Sequence, residues 1–255
     1  MYNSSMHFKQ AAIAIIVLII LAAGFGLWAS KATAPGPSGQ EQSILMGSAT
    51  PQGDYKHTEE APYYTIETRY PAGRPVVEAA LAASIAQFKE DGNFANLTAE
   101  DIQIQGLGPD RKYAYDAEYK TYNAPGYTSY FYTIYQDTLG AHPNGFFLTF
   151  VFDKEGKQVA LADLFMPGAR YLDRLSAEAQ KQVLAELAKR ADAPATPDTA
   201  DTVRIGTSPS PEALQFFYLD GDTLVLAFPP YQVAAYAMGS FEARIPLADL
   251  KDILK

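Results

Sequence analysis

The stretch FPPYQVAAYAMGSFEARIPLADL, residues 228–250, combines apolar residues typical of a buried core with two adjacent prolines and a glycine. Pro229 and Pro230 end a strand that runs into them, because proline lacks the backbone N–H that a sheet requires. Gly239 permits backbone angles that are closed to other residues. The alternating FEARI run then predicts a further strand, and Pro246 predicts the start of a short terminal helix. The punctuation therefore indicates topology: a strand, a tight crossing and a second strand.

Tyr231 and Tyr236 lie within the predicted crossing, beside otherwise apolar residues. A buried tyrosine usually packs its ring on the core while its hydroxyl finds one hydrogen-bond partner. We therefore interpret both tyrosines as residues that seal the loop onto the core. The alternative is that their rings stack on a ligand, which makes them candidate binding residues.

The sequence before this stretch predicts a hairpin and an amphipathic helix. LQFFYLDGDTLVLAF carries Asp220-Gly221 between two apolar runs, which is a strong signal for a tight turn. Further upstream, ARYLDRLSAEAQKQVLAELAKR has helical periodicity. Its apolar positions fall on one face: Leu172, Leu175, Ala179, Val183 and Leu187. A stretch rich in proline, aspartate and threonine, residues 191–202, joins this helix to the hairpin.

The N-terminal half of the folded region predicts a strand, a helix and a hairpin. YYTIETRYP alternates as a strand does and ends at Pro71, and Pro75 then stands near the first position of a helix. The apolar face of this helix comprises Val77, Leu81, Ile85 and Phe88. Two tyrosine-rich alternating runs meet at Ala124-Pro125-Gly126 and predict an antiparallel hairpin, and FFLTFVF adds a strand.

Strands and helices in this order predict an α+β fold. We expect a mostly antiparallel or mixed sheet with two amphipathic helices packed on it, followed by the short C-terminal helix.

Residues 11–30, AAIAIIVLIILAAGFGLWAS, carry no charge over 20 positions. As a helix they would reach about 30 Å, the thickness of the hydrocarbon core of a membrane. Ala32-Thr33-Ala34 resembles a signal-peptidase site, but the apolar run is longer than that of an ordinary signal peptide. We therefore expect an uncleaved signal anchor, with one transmembrane helix after a short cytoplasmic N-terminus at residues 1–10.

Residues 31–62 are rich in alanine, proline, glycine, serine and glutamine and lack hydrophobic periodicity, so they predict a flexible tether. Residues 63–255 are expected to form the folded domain. Because so few residues precede the span, the folded mass must follow it. We expect a single-pass protein of the cytoplasmic (inner) membrane whose C-terminal domain lies outside the cytoplasm.

Composition excludes several classes of function. The formal net charge of −9 and the lack of a basic stripe argue against a nucleic-acid partner, since such binding draws on clustered lysine and arginine. The chain has no cysteine, which removes disulfides, thiolate metal sites and cysteine nucleophiles. We find no serine-hydrolase elbow, phosphate loop or dinucleotide fingerprint.

The second distinctive stretch is GAHPNG, residues 140–145. His142 is the only histidine within residues 63–255, whereas a catalytic zinc site needs about three protein ligands. We therefore predict no metal site, no cofactor and no catalytic residue. His142 and Asn144 are candidate binding residues, and the alternative for His142 is a loop histidine that hydrogen-bonds its own turn.

Residues 228–250, preceded by FFYLDGDTLVLAF and by GAHPNGFFLTFVFDKEGKQVALADLF, closely resemble a known domain of unknown function. It is the domain shared by the lysozyme-binding ectodomain of RsiV-type anti-sigma factors and the accessory module of PdaC-type peptidoglycan deacetylases. The specific part is the series Phe-x-Pro-Tyr, Tyr-Ala-x-Gly and Ile-Pro-x-x-x-Leu, and the order of elements extends the resemblance over residues 63–254.

The resemblance implies an extracytoplasmic module on a membrane tether that recognises a component of the cell envelope. RsiV-type proteins carry a sigma-binding segment before their span, where this sequence has about ten residues, so we do not expect sigma-factor sequestration. PdaC-type enzymes carry a separate deacetylase domain, so we do not expect deacetylation. The expected partner is a lysozyme-like protein or a peptidoglycan fragment.

Two other hypotheses come from different classes. One is an envelope glycan hydrolase or deacetylase-associated protein that uses His142 with a nearby carboxylate. A carboxylate within about 3 Å of the imidazole would favour it, since that is the reach of a catalytic hydrogen bond. The other is a structural protein of envelope assembly with no small ligand.

Overall fold

A computed structural model describes residues 53–255 of the chain. The predicted transmembrane helix at residues 11–30 and most of the predicted tether lie outside the described residues. Within residues 53–255, no helix is both long enough and apolar enough to span a bilayer.

Eight strands, four α-helices and three short 3-10 helices make up the described part of the chain. The strands are β1 (Asp54–Glu60), β2 (Tyr64–Pro71), β3 (Tyr113–Ala124), β4 (Tyr127–Asp137), β5 (Asn144–Asp153), β6 (Phe217–Asp220), β7 (Thr223–Phe228) and β8 (Phe241–Pro246). The α-helices are α1 (Pro75–Asp91), α2 (Ala99–Gln105), α3 (Tyr171–Ala191) and α4 (Pro197–Gly206). The 3-10 helices are Leu161–Leu164, Tyr236–Met238 and Leu247–Leu250.

The strands form two sheets. The large sheet has five strands in the order β1-β2-β3-β4-β5, and the small sheet has three in the order β6-β7-β8. All neighbouring strands run antiparallel except β2 and β3, which run parallel and are joined through α1 and α2. The α+β class is therefore confirmed, but the expectation of a single sheet is wrong.

The small sheet packs on the large sheet through its β6 edge, where the N–H groups of Phe217 and Leu219 donate to the hydroxyl oxygens of Thr149 on β5 and Ser129 on β4. Each sheet also packs against a helix. On one side, α1 packs on the large sheet through Val77, Leu81 and Phe88, which are buried with Ile66 and Tyr115. On the other side, α3 packs on the small sheet, and its buried face contributes to the main core: Leu175, Ala179, Val183 and Leu187. A third cluster joins the sheets: Phe131, Phe147, Tyr218, Val225 and Ala227.

Both predicted amphipathic helices are confirmed, with the predicted proline at the first position of α1. On the predicted faces, Ile85 of α1 and Leu172 of α3 are only partly buried, because they lie at the margin of the stripe. The predicted hairpins at Ala124 to Tyr127 and at Asp220-Gly221 are also present. The predicted terminal helix is a short 3-10 turn directly after Pro246.

The last part of the predicted tether is instead the edge strand β1. Its seven residues, DYKHTEE, pair in register with residues 65–71 of β2. Six of the seven residues are exposed. Because neither face of the strand is buried, its sequence lacks the alternation of apolar and polar residues from which a strand is predicted. Charged residues on an edge strand also oppose pairing with other chains. The domain therefore begins before Tyr63.

Two helices escaped prediction for the same reason, which is that they bury little. Helix α2 has no buried residue, and its local signal is a capping box in which Thr98 and Asp101 exchange hydrogen bonds. Helix α4 lies within the stretch predicted as a connection and buries only Val203 and Gly206. Thr196 caps it ahead of Pro197.

Candidate functional site

The two stretches singled out in the sequence meet in space. His142, in the turn between β4 and β5, stacks on Tyr236 with ring centroids 3.8 Å apart and planes 15° apart. Its Nε2 atom lies 2.9 Å from the hydroxyl of Tyr231. We call His142, Tyr231 and Tyr236 the aromatic cluster.

Hydrogen bonds fix the cluster and assign the tautomer of the neutral histidine. Nδ1 of His142 lies 2.9 Å from the carbonyl oxygen of Pro143, which can only accept, so Nδ1 carries a proton and donates. In the neutral ring, Nε2 is then the acceptor for the Tyr231 hydroxyl. The Tyr236 hydroxyl donates to the same Pro143 oxygen at 2.8 Å. One carbonyl thus ties the β4–β5 turn to residues 229–240, the segment between β7 and β8 that we call the crossing loop.

The two tyrosines differ in exposure. Tyr236 is half-buried and stacked, and its hydroxyl has a backbone partner, as expected for a residue that seals the loop. Tyr231 is 61% exposed and has φ of 73°, a left-handed backbone that is rare for a bulky residue. Its ring is held on the surface of the domain.

Two side chains that the sequence did not reveal, Gln232 and Arg190, hold the crossing loop in place. Nε2 of Gln232 donates to the carbonyl oxygens of Gly206 and Ala213, both at 2.8 Å. Nη1 of Arg190 donates to the carbonyl oxygens of Met238 at 2.8 Å and Ser240 at 2.7 Å.

Tyr135 is a further exposed aromatic side chain that the sequence did not single out. It lies on β4 opposite Gly145 of β5 and is 42% exposed. Partial loss of hydration raises the pKa of Tyr135, and the nearby Asp137, Asp116 and Tyr236 raise it further.

Asn144 is not part of the cluster. It is the first residue of β5, opposite Gln136 of β4, and within residues 53–255 its side chain makes no hydrogen bond to the aromatic cluster. Of the residues predicted to have structural roles, Pro229 and Pro230 lie directly after β7, and Pro246 lies at the end of β8.

Gly239 closes the crossing loop in a conformation that other residues avoid. Its φ of 73° and ψ of −159° belong to a region occupied almost only by glycine. We expect Gly239→Ala to lower the free energy of unfolding by about 1–3 kcal/mol. Space is not the obstacle, because the nearest atom to an added Cβ is Nη1 of Arg190 at 3.9 Å.

Urea unfolding of the fragment 53–255, followed by far-UV circular dichroism, measures this effect. Gly140→Ala is the matched control, since its Cβ also has its nearest neighbour at 3.9 Å and its φ is not positive. Equal stabilities of the two variants would contradict a conformational role for Gly239.

The surroundings of His142 contain no carboxylate partner. Among residues 53–255, no Asp or Glu oxygen lies within 4.0 Å of its ring nitrogens. The same part of the chain holds no group of three or more His, Asp or Glu side chains placed to bind a metal ion. The geometry supplies aromatic surface and hydrogen-bonding groups.

These features define an α+β domain with an aromatic cluster on its surface. Residues 162–248 match the family described as "Protein of unknown function (DUF3298)". A DUF3298 domain is therefore identified at residues 162–248, which confirms that the chain carries a domain of unknown function. This match begins in the 3-10 helix before α3 and reaches the 3-10 helix after β8.

Two solved structures have a similar fold. A DUF3298 family member from Bacteroides fragilis has a TM-score of 0.53 at 18% identity, with 80% of this chain and 92% of that chain covered. A DUF3298 family protein from Pseudomonas aeruginosa has a TM-score of 0.50 at 18% identity, with 80% and 95% covered. No curated protein sequence matches the chain. At this identity the likeness concerns the fold alone.

Proposed function

We propose that the protein is a binding module of the bacterial cell envelope, and that the aromatic cluster is its contact surface. In this proposal, residues 11–30 anchor the chain in the cytoplasmic membrane and the domain lies outside the cytoplasm. The partner is a lysozyme-like protein. Support comes from the apolar run at residues 11–30 and from the resemblance of residues 228–250 to the module of RsiV-type and PdaC-type proteins.

The observation that carries the proposal is the state of Tyr231. A non-glycine residue with a left-handed backbone costs about 1–3 kcal/mol and persists where the surrounding structure imposes it, often at binding sites. Here the conformation presents a ring that is 61% exposed, with His142 fixing its hydroxyl. Folding alone gains little from so exposed a ring, whereas tyrosine is among the residues that contribute most to protein interfaces.

Charge favours a basic partner. The chain carries 29 acidic against 20 basic side chains, so its field attracts cationic proteins over distances limited by salt screening. Lysozyme-like proteins of basic charge fit this field, and electrostatic attraction of this kind raises association rates and falls with ionic strength.

The experiment is capture of lysozyme by the immobilised chain at low and high salt, with muropeptides tested in parallel. We expect saturable retention of lysozyme that weakens as salt rises. Retention of muropeptides alone would move the assignment to a peptidoglycan fragment and overturn the protein partner. Retention of neither would overturn the binding module itself and favour a structural role in envelope assembly.

Tyr231→Asn separates binding from folding. Asparagine tolerates a left-handed backbone, so the variant removes the ring while keeping the loop conformation. We expect lysozyme capture to be lost and stability to change by no more than about 1 kcal/mol, because the lost hydrogen bond is exposed. Binding titrations and urea unfolding on the same preparation measure both quantities.

Tyr55→Asn is the matched control for this variant. Tyr55 is 52% exposed on β1, at the opposite edge of the large sheet from β5. We expect this substitution to leave capture unchanged. If Tyr231→Asn unfolds the domain while binding per folded molecule is retained, the role of Tyr231 is structural.

A further inference from the structure

A second surface with unused bonding capacity lies at the free edge of the small sheet. Strand β8 pairs with β7 on one side, and α3 runs along its other side. At one position the edge is already closed by a side chain. The amide of Gln182 accepts from the backbone N–H of Arg244 at 2.9 Å and donates to its carbonyl oxygen at 3.0 Å. This side chain imitates one residue of a neighbouring strand.

The alternation of the ladder shows where the edge remains open. The N–H of Leu247 donates to the carbonyl oxygen of Asp222, on the β7 side of β8. The N–H of Ala227 in β7 donates to the carbonyl oxygen of Phe216, on the β6 side of β7. Odd-numbered residues of β8 therefore pair with β7, and the N–H and carbonyl of Glu242 and Arg244 point outward. Within residues 53–255, no protein group pairs with the outward N–H and carbonyl of Glu242.

Closed positions bound this open one on both sides. Gln182 occupies the edge at Arg244, and Arg190 occupies it at Ser240, where Nη1 donates to the carbonyl oxygen at 2.7 Å. Between them, α3 and β8 leave a groove of about 630 Å³. That volume is within the range of about 300–1,000 Å³ found for ligand sites.

The charge of the groove is opposite to that of the chain. Three cations line it, Lys189, Arg190 and Arg244, against two carboxylates, Glu186 and Glu242. The chain as a whole has a formal net charge of −9. Both arginines are engaged by protein groups. The Lys189 side chain is 79% exposed, and its ion pair with Glu186 is long, at 3.6 Å. Lys189 is thus the cation most available to a ligand.

We propose that this groove binds a short extended peptide that carries carboxylates. The peptide main chain pairs with the N–H and carbonyl of Glu242, as a strand added to a sheet edge does. A peptide carboxylate lies against Lys189. The site is separate from the aromatic cluster and does not depend on the function proposed for that cluster.

The test is isothermal titration calorimetry of the full chain in mild detergent with acetyl-Ala-Glu-Ala-Glu-Ala bearing a free C-terminus. We expect saturable binding that is lost when the central alanine nitrogen is methylated, because that peptide keeps its charges but loses a donor. The cationic counterpart, with lysine for glutamate and an amidated C-terminus, is expected not to bind. Failure of the anionic peptide to bind, or equal binding of the methylated peptide, would overturn the proposal.

Charge reversal on the protein completes the test. Lys189→Glu is expected to weaken peptide binding about tenfold, since a nearby attraction becomes a repulsion. Lys189→Arg keeps the charge and is expected to bind as the parent does, and both substitutions leave the fold intact because the side chain is exposed. Tyr231→Asn should also bind the peptide normally. Equal affinities of Lys189→Glu and Lys189→Arg, or a loss caused by Tyr231→Asn, would remove the site from this groove.

Discussion

Gly206→Ala is expected to destabilise the domain by about 3 kcal/mol or more, at the upper end of overpacking substitutions. Gly206 is the last residue of α4 and is buried against the crossing loop. A Cβ there would lie 2.0 Å from the carbonyl oxygen of Gln232, 2.8 Å from its carbonyl carbon and 2.9 Å from Cγ1 of Val233. Two of these atoms are backbone, so rotation of a side chain does not relieve the clash.

The same substitution should also reach the aromatic cluster. Gln232 donates to the Gly206 carbonyl oxygen at 2.8 Å and directly follows Tyr231 in the chain. Moving the Gln232 backbone away from α4 therefore displaces Tyr231 relative to His142. In the fraction of the Gly206→Ala variant that remains folded, we expect weaker capture of lysozyme than by the parent protein.

Urea unfolding of the fragment 53–255 measures the loss, with Gly108→Ala as control. An added Cβ at Gly108 meets no atom within 4 Å, and its φ is not positive, so we expect a stability close to that of the parent. A stable Gly206→Ala variant would mean that the contact between α4 and the crossing loop is looser than described.

The sequence predicted those elements whose apolar residues repeat with a clear period. Helices α1 and α3 bury one face each, and burial leaves the pattern from which they were predicted. The tyrosine-rich hairpin was predicted from the alternation of its two strands around a turn. Strand β1 and helix α2 bury almost nothing, so they left no such pattern. The division into two sheets was not predictable either: all pairs are formed by consecutive strands, and the break falls between β5 and β6, which α3 and α4 separate in the chain.

The sequence predicted individual residues of the candidate site but not their contact with one another. His142 and Tyr231 stood out in separate stretches, yet they are 89 positions apart, and their contact follows from the packing of the β4–β5 turn on the crossing loop. Arg190 gave no signal, since it belongs to a regular helix and reaches Met238 over 48 positions. Asn144 lies in the same GAHPNG stretch as His142, but it is the first residue of β5, and among residues 53–255 its side chain makes no hydrogen bond to the aromatic cluster.

Leu81→Ala is expected to cost about 2–5 kcal/mol, the usual range for a buried leucine. Leu81 is 2% exposed in the centre of α1 and packs on the large sheet. One hydrophobic cluster fills the space between α1 and the large sheet, and the third cluster, on the other face of the same strands, joins that sheet to the small sheet. Because the layers are coupled in this way, we expect one unfolding transition displaced to lower urea, and not the separate loss of α1.

Ile104→Ala is the matched control for this substitution, because it also removes an aliphatic side chain from a helix but Ile104 is 75% exposed. Its effect should fall within about 0.5 kcal/mol, as for other surface positions. Far-UV circular dichroism follows helix and sheet together, and tyrosine fluorescence follows the tyrosine-rich large sheet. Coincident curves from the two probes, both shifted by Leu81→Ala, are the expected result. A first transition that loses helix signal while the tyrosine signal stays unchanged would contradict this expectation. It would show that the large sheet stays folded after α1 has unfolded.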